Sequence, residues 1–241
     1  KEYINNSEYI PKKTEEITPL LENLYSATRE VGDRSYLILD PDLDTYYLMD
    51  AVLLKLPENQ SLLFQTRLLF IQAVANNRLS VSDQNELQSF SSIIRQNLEG
   101  INRDLEVASR NNVNQAMSPL IKDKFNEYTD NINAYLEMAQ SIQNGEIETE
   151  GLNELNNLFL LTENSSTEFY AVASQGLEQG IQNRISSFSL RVALYFIISA
   201  LSLGAAFIIG NRLMKSISIP LQEAINAAEN FASGKKIFQN C

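Results

Sequence analysis

Apolar residues recur at intervals of three and four through most of the chain, and no segment alternates apolar and polar residues as a strand does. A first helix is predicted over roughly Ser7–Leu39. Its stripe of Ile17, Leu20, Leu24, Ala27, Val31 and Ile38 has the spacing of a bundle or coiled-coil seam, and Arg34 fills the position the stripe skips. Asp40-Pro41-Asp42 ends this helix, because proline disfavours helical geometry in the residue before it. A second helix starts at Asp42 or Leu43 and runs to about Leu56. Pro57 marks a restart, since proline fits a first helical turn, and helix continues to about Ala75. Asn76-Asn77-Arg78 reads as a loop. The third helix begins near Ser82, a capping residue, and carries Leu87, Ile94, Leu98, Ile101, Leu105 and Ala108. Ser118-Pro119 opens the fourth, whose seam is Ile121, Phe125, Tyr128, Ile132, Tyr135, Ala139 and Ile142, and Asn144-Gly145 closes it. The fifth begins near Thr149 and carries Leu152, Leu155, Phe159, Thr162, Phe169, Val172 and Gly176, with no strong stop after them.

The periodicity then gives way to an unbroken apolar run. Val192–Ile209 is eighteen residues without a charge. At a rise of ~1.5 Å per residue it reaches about 27 Å, close to the roughly 30 Å hydrocarbon core of a bilayer. Residues 191–211 are therefore predicted to cross a membrane. Lys1–Leu190 carries 14 Lys and Arg against 28 Asp and Glu, whereas Arg191–Cys241 carries 5 against 2. Basic flanks stay cytoplasmic. The expected topology places residues 1–190 outside and 212–241 in the cytoplasm. An outward domain needs an export signal or a first membrane helix, so a preceding span is expected upstream of Lys1.

With 9 Gly, 6 Pro and no Trp, the composition suits long helices. Helices with 3-4 seams and short connections predict an all-α, up-and-down helical bundle. The proline breaks leave open one bundle or two stacked ones. The lone cysteine, Cys241, lies on the expected cytoplasmic side, so the exterior relies on its core and not on disulfides. The acidic balance argues against nucleic acid as a partner.

The chain has no histidine, no GxxxxGK[ST] and no GxGxxG. Histidine-based catalysis, histidine metal ligation and these phosphate loops are thereby excluded from these residues. No catalytic residue, cofactor or metal is assigned. Asp40, Asp42 and Asp44 alternate as in a calcium loop, but its Gly and later Glu are absent, and capping or turn formation explains them.

Arg34, Arg67 and Asp50 are polar residues on apolar stripes, and Tyr46 and Tyr47 lie one turn before Asp50. One reading pairs Asp50 with either arginine, setting helix register. The other makes Arg34, Tyr46, Tyr47, Asp50 and Arg67 a ligand site, with guanidiniums gripping a carboxylate or phosphate and the tyrosines forming a wall.

Two segments carry family resemblances. Lys215–Leu221 ends in Pro220-Leu221, and Ala224, Ala227, Ala228, Phe231, Ala232 and Gly234 follow. This resembles the first helix of a HAMP domain, the cytoplasmic linker of bacterial transmembrane receptors, with Pro220 and Gly234 at the family's separation. Lys235-Lys236 stands where the family has Asp-Leu. Leu39–Asp50, followed by Leu56-Pro57, is similar to the helical sensor regions of bacterial chemoreceptors and sensor histidine kinases, and Arg67 and Arg184-Ile185 fit the same family. The resemblances imply a homodimeric receptor in the bacterial inner membrane that responds to a small-molecule or protein ligand outside. A non-enzymatic segment of this kind would pass its signal through HAMP to a cytoplasmic output domain. A membrane-anchored scaffold, or the regulatory module of a membrane cyclase, remains the alternative.

Overall fold

The computed structural model describes residues 9–76, 78–143 and 149–233. Among them there is no strand. Six α-helices follow in order: α1 (Tyr9–Arg34), α2 (Leu43–Met49), α3 (Leu56–Asn76), α4 (Val81–Arg110), α5 (Pro119–Gln143) and α6 (Thr149–Ala232). The expected helix stop at Asn144-Gly145, and Gly234, lie outside the described residues. The chain divides into two units, Lys1–Arg184 and Ile185–Cys241.

The first unit is one bundle, not two stacked ones. Asn97 hydrogen-bonds Glu58 and Asn59 across α4 and α3, at 2.9 and 3.0 Å. Gln60 reaches Ser166 at 2.8 Å and Arg67 reaches Asn156 at 2.9 Å, which sets α6 antiparallel to α3. Phe125 meets Phe169 and Tyr135 meets Phe159, so α5 runs antiparallel to α6 and parallel to α3, which it touches through Thr66 and Tyr135 at 2.9 Å. This is the up-and-down arrangement expected of short connections. The α4 stripe from Leu87 to Ala108 and the α5 seam from Ile121 to Ile142 are buried at every predicted position. Aromatic rings join α5 to α6, with Phe125 and Phe169 centroids 5.3 Å apart and Tyr135 and Phe159 6.2 Å apart.

Four local expectations are corrected. The first helix stops at Arg34, before the predicted Leu39, because Tyr36 takes a left-handed backbone (φ 57°) and a 3-10 turn follows at Leu37–Leu39. The helix does not restart at Pro57. Residues Asp50–Lys55 form a π turn that links α2 directly to α3. In an α-helix the proline ring would collide with the carbonyl four residues earlier, and the wider turn just before Pro57 relieves this. Capping of α4 falls on Ser80 and not Ser82: the Ser80 hydroxyl accepts from the Asp83 amide, and the Asp83 carboxylate accepts from the Ser80 amide. Finally, the α1 stripe does not enter the core. Although α1 lies along α3, with Gly32 against Leu53, its residues Leu20, Leu24 and Val31 are 65%, 67% and 61% exposed.

Among the described residues, the second unit is the rest of α6, which ends at Ala232. The helix contains an 18-residue window of mean hydropathy 2.4, none of it buried, so by length and composition it is able to cross a membrane. It carries Pro220 within it.

Candidate functional site

Three polar arrangements stand out in the first unit, and the aspartate run after α1 builds the most connected of them. Asp42 precedes α2, and Asp44 lies in its first turn. Asp40 receives both terminal nitrogens of Arg184, one of them at 3.1 Å, and Arg184 also bonds Asp42 at 2.9 Å. Thr45 donates to Asp40 at 2.8 Å, and the Asp42 amide donates to it at 2.9 Å. Burial alone would raise the Asp40 carboxyl, but these donors outweigh it and hold it below the ordinary carboxylate range. Arg184 is held even more firmly charged by the hydrogen bonds it gives to Asp40 and Asp42.

Asp44, 1% exposed, extends this knot into the α4–α5 connection. Its carboxylate accepts from the Asn114 backbone at 2.8 Å and side chain at 3.1 Å, and Asn183 of α6 donates to the Asn114 carbonyl at 3.0 Å. Two glycines let the connection approach α6 this closely. A Cβ on Gly176 would stand 2.4 Å from the Ala116 carbonyl, and one on Gly180 would stand 2.6 Å from the Ala116 side chain. The knot thus ties the segment between α1 and α2, the start of α2, the α4–α5 connection and α6 together.

The second arrangement sits on the π turn. Lys55 bridges Asp50 of the same turn and the fully buried Asp104 of α4. A Cβ on Gly100 would lie 2.8 Å from the Lys55 side chain, so the glycine makes room for it. One Asp104 oxygen has no hydrogen-bond partner among the described residues. Burial, with repulsion from Asp50 and against the attraction of Lys55, pushes the Asp104 carboxyl up to about 6.

The third is a cavity of about 380 Å³ between α1, α3 and α6. Its deeper wall includes Ser61, Leu63, Phe159 and Ser166, and its mouth includes Tyr25, Glu163 and Tyr170.

These arrangements redistribute the residues predicted as a ligand site. Arg34 is 79% exposed at its side chain and pairs with Glu30 on its own helix at 2.6 Å, contrary to its expected seam burial. The stripe it shares with Leu20, Leu24 and Val31 faces away from the core, so Arg34 does too. Tyr46 and Tyr47 meet edge to face, with centroids 5.2 Å apart. Asp50 pairs with Lys55, a partner sequence reasoning did not consider, and not with Arg34 or Arg67. Arg67 lies over the Phe159 ring at 4.3 Å and bonds Asn156. The five are not assembled around one cavity. Sequence reasoning named Arg184 only as a marker of the family resemblance, and it passed over Lys55, Asp104 and Asn114. An Asp or Lys at a position otherwise facing the core was the available signal for Lys55 and Asp104, because a buried charge demands a partner. Comparison of the chain with models of known families, with curated proteins and with solved structures finds no match.

Proposed function

We propose that the chain is the sensory and membrane module of a bacterial transmembrane receptor. In this reading, residues 1–190 receive a stimulus outside the inner membrane, residues 191–211 cross it, and residues 212–241 begin a HAMP linker, with Pro220, Leu221 and Gly234 as its markers. The protein works as a homodimer and hands its signal to a cytoplasmic output domain. One observation carries the proposal. A single helix, α6, supplies core residues Phe159, Thr162 and Phe169 to the bundle, receives the knot at Arg184, and contains the apolar stretch. A rearrangement at the knot therefore acts on the element that continues into the apolar segment. For this to signal, the stimulus must bind one arrangement better than the other.

The test is a fusion of the chain to the cytoplasmic part of a receptor kinase with a reporter output. Arg184→Ala and Asp40→Asn loosen the knot and should each shift reporter output at unchanged membrane abundance. Output that is identical in the parent, in both variants and in a fusion lacking residues 9–143 would overturn the receptor reading. The bundle would then be a membrane-anchored scaffold.

A further inference from the structure

The cavity between α1, α3 and α6 has a chemistry that selects its occupant. Its lining contains one carboxylate, Glu163, and no lysine or arginine. Glu163 has no ion-pair partner among the described residues. The same lining carries the rings of Tyr25, Phe64, Phe159 and Tyr170, and aromatic faces attract cations. The amide nitrogen of Gln60 is committed to Ser166 at 2.8 Å, which fixes that side chain in the wall with its oxygen free to accept. Two of these rings already carry a guanidinium, Arg67 over Phe159 at 4.3 Å and Arg29 over Tyr25 at 5.8 Å, which leaves Phe64 and Tyr170 as the rings with none among the described residues. Neither arginine lines the cavity. The surrounding field is also negative, because Lys1–Leu190 carries 14 Lys and Arg against 28 Asp and Glu. The lining itself offers an anion no cation, whereas an ammonium on an apolar body would meet a carboxylate, an amide oxygen and the rings of Phe64 and Tyr170. The volume lies within the range of small-ligand pockets.

We infer that this cavity binds a small organic amine, with its ammonium at Glu163 and its apolar body among the aromatic rings. The inference rests on the receptor reading only for its purpose, since a ligand wedged between α1 and α6 bears on α6, which carries Arg184, and on the helix that leads into the Asp40 segment. Binding itself is independent of any output.

Three probes with one body and different charge test it: phenethylamine, phenethyl alcohol and 3-phenylpropanoate. Each is titrated against the full chain in zwitterionic nanodiscs by ligand-observed NMR, with empty nanodiscs as the blank. Phenethylamine should bind tightest and 3-phenylpropanoate weakest. Glu163→Gln removes the charge at an exposed helical position and should weaken the amine about tenfold while leaving the alcohol unchanged. Glu168→Gln, five residues along the same helix but paired with Lys124, should leave all three unchanged. Tighter binding of the carboxylate, equal weakening of the amine by both variants, or no binding by any probe overturns the inference. None of these results touches the fusion test of the receptor reading, whose readout is output and not affinity.

Discussion

Helices α1 and α5 carry the same apolar rhythm and meet opposite fates. The α5 seam runs Ile121, Phe125, Tyr128, Ile132, Tyr135, Ala139 and Ile142, and every member is buried. The α1 stripe has the same spacing, yet Leu20, Leu24 and Val31 stay mostly exposed. The spacing says that a helix has an apolar face. It does not say whether that face meets the core, because burial depends on how many partners the topology places around it. The α5 helix meets α3, α4 and α6, whereas α1 lies against α3.

The largest effect that probes this contrast comes from cutting the two seams alike. Ile132→Ala should lower stability by about 2–5 kcal/mol, the range for large-to-small core changes, whereas Val31→Ala should cost under about 0.5 kcal/mol. Thermal melts of the full chain in detergent, followed by circular dichroism, distinguish them. A comparable loss for Val31→Ala would mean that the α1 stripe is covered in the assembled protein, as a homodimer would cover it.

The next effect concerns close approach. Gly176→Ala puts a methyl group into the Ala116 carbonyl. Its cost should be about 1–3 kcal/mol, since overpacking here forces backbone to move. Hydrogen exchange at the Asn114 amide, which Asp44 holds in the parent, should accelerate. Unchanged protection at that amide would show that the connection tolerates displacement.

A smaller effect depends on pH. The Asp104 carboxyl is raised to about 6 by burial, against an ordinary 3.8. Between those values the folded chain holds a proton that the unfolded chain has lost. The contribution is therefore full below the ordinary value and is lost as pH rises through about 6. Lowering the pH from 7 to 5 should add about 1 kcal/mol from this group, and Asp104→Asn should abolish that gain. The lowered Asp40 carboxyl acts in the opposite sense, and only as pH falls below the ordinary carboxylate range. Melts of both proteins across this interval check the sign. A parent that loses stability in step with its variant would refute it.

The smallest effect lies at the end of α1. Tyr36 holds a left-handed backbone and is 74% exposed. Tyr36→Gly should leave the chain unharmed or stabilise it by up to about 1 kcal/mol, because glycine adopts this conformation without steric cost. A destabilisation would mean that the tyrosine ring makes a contact worth more than the strain.

Helix identity was legible wherever the apolar period was long and clean, as in α4 and α5. It was also legible at the apolar stretch of α6, where eighteen uncharged residues leave few other uses. Boundaries were harder. The left-handed Tyr36 has no compositional signature, and Pro57 marks an irregularity without saying that it takes the form of a π turn over Asp50–Lys55 and not a break. The polar site was the least legible. Arg34 has a seam position but an exposed side chain, while the run Asp40, Asp42 and Asp44 looked like local capping. Its main partner, Arg184, lies 144 residues from Asp40.

The sequence by itself determined that this protein is helical, that one segment has the length and hydropathy of a membrane span, and that its charge is divided unequally about that segment. Those properties are sums over local residues. Only the tertiary structure decided which apolar stripe is core, that Asp50 pairs with Lys55, that Gly176 and Gly180 admit the α4–α5 connection, and that a cavity with a single carboxylate forms between α1, α3 and α6. Each of these depends on side chains brought together from distant helices, and the free energy of a buried charge or a close contact exists only once its partner has arrived.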